Sequence, residues 1–143
     1  MTDTDTSTST PNAARAWEVY DLAMRHRAAL NMKTYVRVSN ELLSADVDNA
    51  LRVTLNTLTS ECGTTACLAG WTVTHEGYRM DRYGAVYGPD GAYLGVVFRV
   101  ATNLLGLTDE TAIGLFNVAD EYLEQQMFDT FGPRPTNPEG IRP

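Results

Sequence analysis

Cys62 and Cys67 fall in the run Glu61-Cys62-Gly63-Thr64-Thr65-Ala66-Cys67-Leu68-Ala69-Gly70-Trp71, which also holds one of the two tryptophans. A thiol just ahead of a helix is the sharpest chemistry this run offers. The helix dipole and free backbone amides there stabilise a thiolate. Cys62 precedes the helix expected from Ala66, so it is the candidate nucleophile. Such a residue needs a base within hydrogen-bond reach. His75 lies at the far end of the same helix, which leaves His26 as the base. Zinc fits the run poorly. Cys67 and His75 are eight residues apart on one expected helix, about 12 Å along its axis, and their side chains cannot converge on one ion. A Cys62–Cys67 disulfide needs Cα atoms within about 7 Å, which a turn followed by a helix start can supply, but a reducing cytoplasm argues for free thiols and against a permanent bond.

Packing accounts for the same residues with no missing partner. Free cysteine behaves as a small buried hydrophobe. Ala66, Cys67, Ala69 and Gly70 let another backbone come close, Leu68 and Trp71 fill volume, and Gly63 permits a sharp entry. Cys62, Gly63, Thr64, Cys67, Gly70 and Trp71 therefore read as a structural motif, with Cys62 and His26 as the alternative catalytic pair. Neither a metal nor a cofactor is expected.

The elements that must position this run follow from periodicity and caps. Asn12 is an N-cap residue, and a helix is predicted from Ala13 to Leu30 with Trp17, Tyr20, Met24 and Ala28 at near-helical spacing and Val19, Ala23 and Leu30 beside them. His26, between Arg25 and Arg27, reads first as a boundary residue. Residues 40–58 fit strand alternation at Leu51, Val53 and Leu55, but the longer pattern through Val47, Leu51, Leu55 and Leu58 favours helix. Thr64 or Thr65 caps a helix from Ala66 to Glu76, which Gly77 ends. Gly88-Pro89-Asp90-Gly91 between two apolar triplets predicts a hairpin over 83–94. A helix from Val96 to Leu105 stops at Gly106, and Thr108 caps the next, with Ile113, Leu115 and Phe116 on its apolar side. A last helix spans Ala119 to Phe131. The fold class is mainly α: a small single-domain helical bundle with one short β-hairpin.

The ends are polar or proline-rich. Residues 1–11 are nearly all Thr, Ser and Asp, and 132–143 hold four of the six prolines, so both are expected as tails around one globular domain over 12–131. There is no apolar run near membrane-spanning length and no basic-then-apolar start, and two cysteines without a leader suit a reducing cytoplasm. The net charge of -7 argues against phosphate-backbone binding. So does the stretch Ala101 to Thr108. It resembles a helix-turn-helix but has one residue too many between Ala101 and Gly106, and Asp109 and Glu110 open its second helix.

Asn31-Met32-x-Thr34-Tyr35, the Cys-Gly-Thr-Thr-Ala-Cys-Leu-Ala-Gly-Trp run at 62–71 and Ala101-x-x-Leu104-Leu105-Gly106-Leu107-Thr108 with Leu115-Phe116 together resemble a family of small uncharacterised proteins of actinobacteria and their phages. The resemblance implies a phage or prophage accessory protein and carries no activity over. The expectation is a binding or regulatory protein acting through protein–protein contacts. Asp120, Glu121, Tyr122, Glu124, Phe128 and Phe131 are the candidate partner face, and a thiol-dependent enzyme or redox-sensitive protein using Cys62 is the alternative.

Overall fold

The computed structural model describes residues 12–39, 42, 51–60 and 63–135. Helix α1 spans Ala13–Arg25 and begins as its cap residue predicts, with the Asn12 side chain accepting from the Arg15 N–H. It stops earlier than the periodicity suggests. A 3₁₀ turn over Arg27–Ala29 follows, and Met24 and Ala28 are exposed. Strand β1 (Val36–Arg37) pairs antiparallel with β2 (Thr65–Ala66). Between them, α2 spans only Leu55–Thr59 and Val53 forms an isolated bridge with Met80. The remainder of the long helix expected over 40–58 lies largely outside the described residues.

Helix α3 (Leu68–His75) is the centre of the molecule: every residue from Leu68 to Thr74 is buried. A helix enclosed on all sides must be apolar or satisfied internally. Thr72 and Thr74 meet this by donating their hydroxyls to the carbonyls of Leu68 (2.8 Å) and Gly70 (3.0 Å). Gly77, at φ +96°, ends the helix as predicted. Its N–H reaches Thr74 O and the Tyr78 N–H reaches Val73 O, the paired bonds that close a left-handed helix end.

Strands β3 (Arg79–Met80), β4 (Ala85–Tyr87) and β5 (Tyr93–Val96) form an antiparallel sheet in that order. The Gly88–Gly91 turn joins the last two, so the predicted hairpin is present with a third strand added. Helix α4 (Val97–Leu105) follows β5 directly and packs against α3 and the sheet. Helix α5 (Asp109–Phe116) starts at Thr108, whose side chain accepts from the Thr111 N–H. Ile113, expected on its apolar side, is 55% exposed, because α5 buries only the side holding Ala112, Leu115 and Phe116. A 3₁₀ turn over Asp120–Tyr122 precedes α6 (Leu123–Phe131), which packs on α1 and α5. The chain is a mainly helical domain with short antiparallel strands.

The segment after α6 is fastened, although it was expected to begin a loose tail. The Trp17 indole N–H donates to Gly132 O at 3.0 Å. Arg134 lies over the Trp17 ring at 4.2 Å and pairs with Asp21 at 2.6 Å.

Candidate functional site

The central motif is built inside out. Neither Thr64 nor Thr65 caps α3. The N-cap is Cys67, because Thr65 and Ala66 are drawn into the β1–β2 ladder. The Thr64 hydroxyl instead accepts from the Ser39 N–H at 3.1 Å. The first amide of α3, at Leu68, donates to the Met32 thioether at 3.4 Å. Gly63 takes φ +93°, the sharp entry expected of it. Gly70 holds the closest approach: a Cβ there would lie 2.6 Å from the Tyr35 carbonyl oxygen and 2.8 Å from Ala66 Cβ. Trp71 is fully buried and donates its indole N–H to Ala29 O at 3.1 Å.

Cys67 is a free, buried thiol. Burial pushes its pKa up to about 11, against a smaller opposing pull from the amides of Gly70 and Ala69. At neutral pH it is therefore a thiol and not a thiolate. Cys62 lies outside the described residues. The helix mouth expected beside it belongs to Cys67, since α3 begins at Leu68.

His26 stacks on Trp71, with ring centroids 6.1 Å apart and planes at 21°. It opens into a cavity of about 350 Å³ walled by Arg25, Arg27, Ala28, Ala29, Leu58, Gly63 and Thr64. Cys67 lines a different cavity of about 260 Å³, with Met32, Lys33, Thr34, Tyr35, Phe116 and Asn117. Histidine and buried thiol therefore face separate spaces, with Trp71 beside His26. Among the described residues no three His, Cys, Asp or Glu side chains come together as a metal-binding group.

The expected partner face is divided by the fold. Asp120 is committed internally, accepting from the Met32 N–H at 2.8 Å and pairing with Arg27 at 3.2 Å. Phe128 packs edge-on against Trp17 at 5.2 Å, and Phe131 packs on the core. Glu121, Tyr122 and Glu124 stay on the surface, and Phe128 is itself 40% exposed.

A second surface was not foreseen. Along β5 and the β3–β4 turn, Tyr83 is 76% exposed, Tyr93 60%, Val96 52% and Leu94 43%. Met80 and Val86 fill the sheet's inner side, while Tyr87 and Tyr93 meet edge-on across its outer side at 5.9 Å. Arg52 covers Tyr87 at 4.3 Å. The available signal was the absence of charge from Gly91 to Phe98 beside a turn. No family model, no curated protein and no solved structure matches this chain. No helix among the described residues is long and apolar enough to cross a membrane.

Proposed function

We propose that the protein is a small binding or regulatory protein that acts through protein–protein contacts, with the outer side of the β3–β4–β5 sheet as its contact surface. The observation that carries this reading is exposed Tyr93, Leu94 and Val96 on β5, with exposed Tyr83 in the β3–β4 turn. Scattered apolar side chains are ordinary on a surface, but three exposed ones on a single four-residue strand point to an interaction site. The buried, protonated Cys67 supports a packing role for the central motif. A phage or prophage accessory role rests on the sequence resemblance alone. A photo-crosslinking residue at position 93 should yield adducts of discrete mass in cells. Adducts no more abundant than those from the same crosslinker at position 113 would refute the surface.

A thiol-dependent enzyme using Cys62 with His26 is the second reading. It is supported by the open cavity that His26 shares with Gly63, the neighbour of Cys62 in sequence. It requires one thiol to react with iodoacetamide at neutral pH much faster than free cysteine does. Slow alkylation throughout the folded protein would end it.

A further inference from the structure

Strand β5 is the outer strand of its sheet, and among the described residues no strand lies beyond it. The opposite side is flanked: Val53 exchanges backbone hydrogen bonds with Met80 of β3 at 2.7 and 3.0 Å. Sheets usually protect a free edge with lysine, proline or inward-pointing charge. Here the edge reads Tyr-Leu-Gly-Val and has only the irregularity at Leu94 to blunt it. Deepening the contact-surface reading above, on which it rests, we propose that the occupant of this edge is a second copy of the same chain, paired antiparallel through β5.

Charge selects the copy's approach. Each chain carries -7, so two copies repel wherever acidic surfaces meet. From Asp109 to Phe131 there are Asp109, Glu110, Asp120, Glu121, Glu124 and Asp129 and no lysine or arginine. Beside β5 the balance differs. Residues 91–98 are uncharged, and Arg79 and Arg52 stand by the sheet's outer row, Arg79 opposite Tyr87 and Arg52 over its ring. The edge is thus a place where two such chains can meet without opposing like charges.

The strand is also complementary to itself. Tyr93 pairs with Tyr87 and Val96 with Ala85, so the irregularity between them leaves both side chains on the outer side. A two-fold axis between Leu94 and Gly95 sets Tyr93 of each copy against Val96 of the other. Aromatic with β-branched is a favoured cross-strand pair. Among the described residues Val53 already flanks the other side of this sheet, so pairing of two β5 strands about a two-fold axis closes on itself and makes a dimer, not a filament.

Size sets the strength. An aromatic side chain offers roughly 150–250 Å² when fully exposed, so the four exposed residues present on the order of 450 Å² per copy. About 900 Å² for the pair, an upper bound, falls below the ~1,200 Å² where stable interfaces begin, so the dimer is weak and its population depends on concentration.

Sedimentation velocity of the full chain over a concentration series from about 10 μM to about 1 mM tests this. The mass should rise from 15.7 kDa toward twice that value. Added salt should tighten the pairing, because it screens repulsion and leaves the strand contacts intact. Val96→Lys or Leu94→Lys, each checked for folding by circular dichroism, should weaken it at least tenfold, and Ile113→Lys should leave it unchanged. A monomer throughout the series, or a dimer indifferent to both edge lysines, overturns the pairing. A chain that stays monomeric yet crosslinks another protein from position 93 also overturns it, while the contact-surface reading stands. Absence of any position-93 adduct, by contrast, defeats that reading itself.

Discussion

Gly70→Ala and Gly114→Ala make the same chemical change in two helix interiors and should have opposite effects. Alanine is favoured over glycine in a helix by about 0.8–1 kcal/mol. At Gly114, on the exposed side of α5, the nearest atom to an added Cβ is the end of the flexible Gln126 side chain at 3.7 Å. The propensity gain should be realised nearly in full. At Gly70 the added carbon meets Tyr35 O at 2.6 Å, Ala66 Cβ at 2.8 Å and Met80 Cε at 3.1 Å. The first of these is backbone and the second a buried Cβ, so neither can swing away. Forced overpacking of this kind costs about 1–3 kcal/mol, and the rigid obstacles put Gly70 at the upper end. Subtracting the propensity gain leaves a net loss of about 2 kcal/mol. At ~4 °C per kcal/mol for a chain of this size, Gly70→Ala should lower Tm by about 8 °C and Gly114→Ala should raise it by about 3 °C. Thermal melts and urea titrations monitored by circular dichroism read both. If Gly70→Ala leaves stability unchanged or raises it, the close approach of the Tyr35 carbonyl and Ala66 to α3 is wrong.

Three further outcomes follow from the same contacts. The Cys67 thiol titrates near 9 when unfolded and is pushed up to about 11 by burial. Its contribution is therefore complete below pH 9 and is lost as pH rises toward 11, by about 3 kcal/mol over the interval. Urea midpoints at pH 8 and 10.5 should fall more for the native chain than for Cys67→Ala, and parallel declines would contradict the burial. Asp120→Ala removes a charged acceptor from the Met32 amide and should lose about 1.5–3 kcal/mol, whereas exposed Glu121→Ala should stay within about 0.5 kcal/mol. Equal stabilities would show that Asp120 belongs to a free surface after all. Trp71→Phe removes volume and leaves the buried Ala29 carbonyl unpaired, so a loss of about 2–4 kcal/mol is expected by chemical denaturation. A loss under about 1 kcal/mol would count against the sealed motif.

Local signals in the sequence were read correctly where the chain satisfies itself. Asn12 and Thr108 cap, Gly77 and Gly106 stop, and Gly88–Gly91 turns, because each partner lies within a few residues. Long-range partners were invisible. Thr64 looks like a helix cap, but its hydroxyl is taken by Ser39, 25 positions away. β1, β2 and β3 are two residues long, too short for any alternation to show. Met24 and Ala28 fit an apolar stripe by spacing, but α1 ends at Arg25 and Ala28 falls in the 3₁₀ turn beyond it, while Ile113 lies on the exposed side of α5. Of the candidate site, the packing role of Gly70 and Trp71 was legible from residue size. The exposed edge was not, because only the sheet's order decides which strand is outermost.

The bond between Trp17 and Gly132 joins positions 115 apart, and Arg134 completes the cover over the same ring. In synthesis α1 precedes by more than a hundred residues the carbonyl that takes its indole N–H. Helix α1 therefore keeps this aromatic flank incompletely covered until the residues after α6 are made. Folding of this domain is expected to be a late, concerted event and not a succession of finished pieces. A chain cut at Phe131 would keep every helix described above but lack the residues that close the first one.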